Sequence, residues 1–171
     1  MNKVNIQYFK TPVGDMILGS YGNKLCIADW QYRKNRESID KRLQKGLNAT
    51  FVEEESSVLK LAKEELEAYF KGTCHTFDIP FLLVGTEFQK SVWIGLLQVP
   101  FGTTVSYGEL AQNIDDEKAV RAVASAVGAN AISIFIPCHR VIGGDGSLTG
   151  YAGGLEAKKE LLEIENNVFM I

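Results

Sequence analysis

Ile132-Ser133-Ile134-Phe135-Ile136-Pro137-Cys138-His139-Arg140-Val141 is the stretch around which the rest of the chain can be ordered. Its opening half is an apolar, β-branched run, and its length and composition predict a short buried strand over 132–136. Pro137 lacks an N–H and fixes its own φ, so regular pairing is expected to stop there. Rigid core would then deliver Cys138 to a turn, with an imidazole and a guanidinium next in sequence. A cation and a proton relay favour thiolate over thiol. A cysteine in such a run is equally at home as a buried apolar thiol. Cys, His and Arg alone leave both readings open.

Working outward, composition bounds the classes. A chain of 171 residues with 46% hydrophobic content suits one large or two small domains with packed cores. The start Met1-Asn2-Lys3-Val4-Asn5 is polar and no apolar run approaches the ~18 residues of a membrane helix, so neither signal peptide nor span is expected. Cys26, Cys74 and Cys138 are an odd, scattered set, which predicts a reducing, cytoplasmic setting rather than a disulfide framework. A net charge of −3 lacks the basic footprint of a nucleic-acid binder. Residues 1–86 carry 12 Lys+Arg against 11 Asp+Glu, and residues 87–171 carry 6 against 10, so neither half is strongly basic. Contact with nucleic acid would have to rely on a few placed groups and on shape.

Before the central stretch, residues 5–11, 15–20 and 24–30 alternate apolar and polar positions around Gly14 and Gly22, predicting a three-stranded antiparallel meander with Cys26 in its core. Residues 33–45 hold eight charges of both signs and read as a solvated helix or loop, with a DNA-facing patch the lesser alternative. From Ser56 and Ser57 to Gly72, apolar residues keep helical spacing behind a serine cap, so one amphipathic helix should cover the meander. Residues 78–85 read as an extended connection. Thr86 and Gln89 form a capping box, opening a helix whose buried face is Phe88, Val92, Trp93, Leu96 and Leu97. Ser106 and Glu109 form a second one, opening a short helix to Ile114. Asp116 is the expected N-cap of a third helix over 117–127, and the pair reads as helix-turn-helix. From Ala119 to Ala126 nearly every residue is small, and Arg121 is the one long exposed side chain among them. Such a helix suits close packing on another helix or on DNA. Residues 143–147 read as a glycine-rich hairpin, and residues 155–166 as a last helix with Leu161, Leu162 and Ile164 inward.

Pro137-Cys138-His139-Arg140-Val141, followed by Gly150-Tyr151-Ala152-Gly153-Gly154-Leu155, resembles the signature of the O6-alkylguanine-DNA alkyltransferases. The likeness is close over about residues 86–166 and holds in outline before them. It implies an α+β chain, with an N-terminal ribonuclease-H-like antiparallel sheet and helix over 1–85 and a C-terminal winged helix-turn-helix domain over 86–171. The implied function is DNA repair by transfer of an alkyl group from O6-alkylguanine, and from O4-alkylthymine, to the chain's own Cys138. That transfer is a single irreversible turnover by a monomer on duplex DNA, without cofactor or metal. By the same resemblance His139 takes the thiol proton through a water, Glu165 orients His139, and Tyr107 protonates the departing base. Arg121 would fill the gap left by a nucleotide flipped through the minor groove, on a DNA-facing surface with Tyr107, Ala119, Ala122 and Ser125. Asn130, Val141, Tyr151, Ala152 and Gly153 would form pocket and hinge, and Arg140 would be structural. Many members carry serine where this chain has Ala152, a change that keeps the backbone N–H and drops a hydroxyl. Some members bind zinc in the N-terminal half, but Cys74, His75 and Cys26 fall short of about four ligands, so no metal is expected. Two readings of other classes compete. A cysteine hydrolase using Cys138 and His139 lacks an evident oxyanion signal, and a non-catalytic DNA-binding regulator with a redox-sensing cysteine sits badly with an acidic C-terminal half.

Overall fold

The structure, a computed structural model, describes residues 2–167 and divides into two compact units at Gly85/Thr86. The first holds β1 (Asn2–Thr11), β2 (Gly14–Tyr21), β3 (Lys24–Trp30), α1 (Arg36–Leu47), β4 (Ala49–Glu53) and α2 (Ser57–Phe70). The three early strands form the expected antiparallel meander. Its inward residues, among them Val4, Met16, Leu18, Leu25, Ile27 and Trp30, are fully buried. Sequence patterning missed β4, which joins the far side of β1 in parallel and makes the sheet order β3-β2-β1-β4. Its five residues follow a helix directly and alternate too briefly to stand out. Ser56 caps α2 by accepting from the Leu59 N–H at 3.1 Å, and α2 lays Leu59, Ala62, Leu66 and Tyr69 across β1, β2 and β3.

The charged stretch after β3 is a helix, but not a wholly solvated one. Ile39 and Leu43 are buried, and so are Asp29 and Arg33. Asp29 takes Arg33 and Arg36 at 2.9 Å each, while Arg36 also reaches Asp40. Several of the charges therefore fasten α1 to the end of β3. Gly46 lies within α1. The helix runs on to Leu47 and stops at left-handed Asn48, and a Cβ on Gly46 would stand 2.6 Å from a Val84 methyl. That close approach is what requires glycine. Residues 78–85, extended as expected, do more than connect. Leu25 donates to the Pro80 carbonyl and accepts from Leu82, both at 2.9 Å, so the segment lines the free edge of β3.

The second unit contains α3 (Glu87–Leu96), β5 (Val105–Ser106), α4 (Tyr107–Asn113), α5 (Val120–Gly128), a single 3-10 turn (Cys138–Arg140), β6 (Val141–Ile142) and α6 (Leu155–Asn167). Both capping boxes are present, at Thr86/Gln89 and Ser106/Glu109. Val92, Trp93 and Leu96 of α3 are buried, but Phe88 is only half-buried and Leu97 is exposed. The helices α3, α4 and α5 pack on one another, and Trp93 Nε1 donates to the Ala126 carbonyl at 2.9 Å.

Three expectations need correction here. First, α5 begins at Val120, with Ala119 rather than Asp116 as its N-cap. Asp116 N–H still donates to Ala111 in the turn out of α4, after left-handed Asp115, and Ala119 N–H closes another turn onto Asp116. The connection uses up the residues read as a first helical turn. Second, the buried run 132–136 is not a strand. Ile136 N–H folds back onto the Ile132 carbonyl at 2.9 Å, and Ile134 sits at φ +73°, rare for a β-branched residue. The Asn130 side chain replaces a strand partner, donating to Ile136 O and accepting from Ile132 N–H at 2.9 Å each. Burial without a sheet is possible because a side chain meets the backbone's hydrogen-bonding needs. Third, residues 143–147 form a turn closed by Gly143 N–H on Ser147 O, and β6 pairs in parallel with β5 rather than with a returning strand.

Candidate active site

Cys138 opens the 3-10 turn directly after Pro137 and is buried to 5% exposure, with His139 and Arg140 also buried. From this one short segment His139 and Arg140 reach the inner face of α6. Glu165, near the end of that helix and fully buried, receives them. His139 Nε2 stands 2.5 Å from Glu165 Oε2. Arg140 donates through Nε to Oε1 at 2.8 Å and through Nη2 to Oε2 at 3.1 Å. Gly102 N–H adds a further donor to Oε1 at 3.2 Å. The remaining Arg140 nitrogen, Nη1, donates to Val99 O at 2.7 Å, and the guanidinium lies over the Phe101 ring. One carboxylate thus ties the turn carrying Cys138 to the loop that follows α3.

Charge follows from these contacts. Burial alone would push Glu165 up, but its bonds and charge interactions with His139 and Arg140 outweigh burial and hold the carboxyl well below its ordinary range. Burial pushes His139 down, Glu165 opposes this, and Arg140 and Lys158 add to the lowering. The ring is therefore neutral near pH 7, with its proton on Nε2 facing the ionised carboxylate. Nδ1 is left as a buried basic lone pair with no protein partner. An imidazole in this tautomer, next to a cysteine, can accept a thiol proton.

A second group of contacts involves Tyr107, the first residue of α4. Its phenol oxygen accepts from the Thr149 hydroxyl at 3.2 Å, and Lys158 Nζ donates to Thr149 O at 2.8 Å and to Gly150 O at 3.4 Å. Lys158 is wholly buried in α6. Burial pulls its ammonium down, while its charge interaction with Cys138 favours it, so the cation lies within electrostatic reach of the nucleophile. Sequence reading missed both Thr149 and Lys158. Lys158 shares a stripe with Leu161 and Glu165 at helical spacing, and that was its available signal.

Among the other residues singled out, Asn130 clamps the turn before Cys138, and Val141 is buried in β6 opposite Val105, two residues before Tyr107. Tyr151, Ala152 and Gly153 lie in the loop leading to α6, which Gly154 N–H closes on Tyr151 O. Arg121, Ala122 and Ser125 share the exposed face of α5, whereas Val123, Ala126 and Val127 are its buried face. Ala119 sits half-buried at the helix start. Among the described residues, no group of three or more His, Cys, Asp or Glu could hold a metal ion.

Residues 4–83 match the model of the 6-O-methylguanine DNA methyltransferase ribonuclease-like domain, and residues 87–167 match that of the same family's DNA binding domain. A methylated-DNA–protein-cysteine methyltransferase of Methanosarcina acetivorans is 42% identical over 93% of this chain and 96% of its own length. The chain belongs to the methylated-DNA–protein-cysteine methyltransferase family. The family's protein from Haemophilus influenzae is 39% identical over 96% of this chain and 88% of its own. Mycobacterium tuberculosis OGT, solved in complex with DNA, superposes with a TM-score of 0.82 at 37% identity, covering 96% of this chain and 94% of that one. The α+β fold of this methyltransferase family, with a ribonuclease-like N-terminal half and a DNA-binding C-terminal half, is therefore the fold of this chain.

Proposed function

We propose that the chain repairs DNA by moving the alkyl group of O6-alkylguanine onto Cys138 in one irreversible turnover, with 86–171 carrying the chemistry and 1–85 as a separate supporting domain. Displacement at a saturated carbon calls for a soft, strong nucleophile, and thiolate is the best that side chains offer. A free thiol of pKa about 8.5 is only a few per cent ionised at pH 7. Neutral His139, held by Glu165, takes its proton through a bridging water, and buried Lys158 favours the resulting charge. The Cys138 Sγ–carbon bond forms as the carbon–O6 bond breaks. The bonding electron pair stays with guanine, Tyr107 supplies that base with a proton, and the phenol regains one from solvent. Arg140 positions Glu165.

The observation that carries this reading is the buried relay of His139 and Glu165 beside Cys138, with Nδ1 left as a base. Exposed Arg121, on the small-residue face with Ala122 and Ser125, supports extrusion of the nucleotide from duplex DNA, and Asn130, Val141 and residues 151–153 support a pocket for the base. O4-alkylthymine is accepted by the same chemistry. The protein works as a cytoplasmic monomer without cofactor; among the described residues no helix is long and apolar enough to cross a membrane. Intact mass after incubation with an oligonucleotide containing O6-methylguanine tests the proposal. One methyl per chain, mapped to Cys138, is expected because a thioether is not hydrolysed under these conditions. Sustained turnover by substoichiometric protein, as a hydrolase would show, or methyl on Cys26 or Cys74, would overturn it.

A further inference from the structure

Thr149 lies in the loop between β6 and α6. Two contacts make it more than a loop residue. Its hydroxyl donates to the phenol oxygen of Tyr107, and its carbonyl accepts from Lys158, whose charge interacts with Cys138. Tyr107 itself is held at the start of α4 by the Ser106/Glu109 capping box. Its backbone is therefore fixed from the helix side and its hydroxyl from the loop side. An incoming hydrogen bond at the phenol oxygen occupies an acceptor site and leaves the phenol's own proton to point elsewhere. The same bond strengthens as negative charge builds on that oxygen, since hydrogen bonds to charged acceptors are the stronger kind.

We propose that Thr149 is a positioning residue for proton delivery: its hydroxyl aims the Tyr107 proton at the departing guanine and stabilises the phenolate oxygen formed as that proton leaves. The inference rests on the reading of Tyr107 as proton donor. As the alkyl carbon passes from O6 to Cys138, the phenol O–H bond breaks toward the purine, and the oxygen's new charge meets the Thr149 O–H. Lys158 keeps the hydroxyl in place by holding the Thr149 carbonyl, and so links the proton-donor end of the site to the nucleophile end.

The test compares a leaving group that needs a proton with one that does not. Thr149→Val keeps the shape and removes the hydroxyl, Thr149→Ala removes it with less steric demand, and Thr149→Ser restores it. Methyl transfer from a duplex oligonucleotide containing O6-methylguanine should slow about tenfold in the Val and Ala variants, which is about 1.4 kcal/mol, and recover in Ser. Iodoacetamide labelling of Cys138, which expels iodide, should keep its wild-type rate in all three and thereby also reports an intact site. Tyr107→Phe should slow methyl transfer as well, and adding Thr149→Val to it should change nothing further. Equal loss in both reactions, no recovery in Ser, or unchanged methyl transfer in Val and Ala would overturn the role of Thr149. If Tyr107→Phe transfers methyl at the wild-type rate, the donor reading itself falls, and this inference with it. A slow Tyr107→Phe beside a normal Thr149→Val removes the inference and leaves the donor.

Discussion

Three cysteines in one chain have three fates set by surroundings. Burial pushes Cys26 up to about 12, and burial with Glu65 and Asp78 nearby raises Cys74. Cys138 has a neutral histidine next to it in the chain and interacts with the charge of a buried ammonium. Iodoacetamide at pH 7 should therefore label Cys138 first and Cys26 only on unfolding, as peptide mapping over time would show. Glu165→Gln should slow the Cys138 label, because the amide orients His139 less firmly and carries no charge to support imidazolium. The same change is not conservative for stability. Removing one partner of a buried ion pair costs about 3–5 kcal/mol, and Arg140 would be left uncompensated. A urea midpoint equal to wild type would show that Arg140 does not depend on this carboxylate.

At the scale of elements, the turn over 130–136 and the face of α5 make separable predictions. Asn130→Ala leaves Ile132 N–H and Ile136 O buried without the partner that folds the run. At about 1–3 kcal/mol for each stranded group, a loss of roughly 2–6 kcal/mol is expected from urea unfolding. A loss below about 0.5 kcal/mol would mean that backbone bonds alone hold the turn. For α5, Arg121→Ala should lose the few kcal/mol that offset unstacking, about a hundredfold in repair rate on duplex DNA. A short single strand should suffer less, and free O6-alkylguanine base hardly at all. A phosphate contact would instead weaken both DNA forms alike and flatten the salt dependence. Equal slowing on all three substrates would place Arg121 in the fold or the chemistry.

For the whole molecule, the buried relay sets an acid limit. The folded chain keeps His139 neutral where the unfolded chain, with its ordinary value of 6.5, takes up a proton. Stability is therefore present above about pH 6.5 and falls as pH drops below it. Glu165, held below its ordinary 4.5, acts in the same direction further down, because the unfolded chain protonates there first. Urea midpoints should decline steadily from pH 7 to pH 5, and His139→Gln should flatten that part of the curve. A wild-type midpoint that rises on acidification would contradict a neutral buried His139. A net charge of −3 also means that repair rates should depend weakly on salt, because phosphate neutralisation contributes little.

What the sequence determined by itself was local or carried by a contiguous motif. The meander, the Ser56 cap and the two capping boxes depend on neighbours within a few residues, where turn chemistry and periodicity act directly. Cys138 stood out because proline, histidine and arginine adjoin it in the chain. Tertiary structure decided everything that depended on a distant partner. Whether 132–136 became strand or turn was settled by the Asn130 side chain, which apolar periodicity does not register. The charges after β3 proved to be fasteners because Asp29 stands buried where α1 returns to the sheet. Lys158 and Thr149 carry no motif. They acquire their place only when α6 folds back beside Cys138 and the loop before it meets Tyr107, and no reading of nearest neighbours brings groups 42 residues apart within reach of one hydrogen bond.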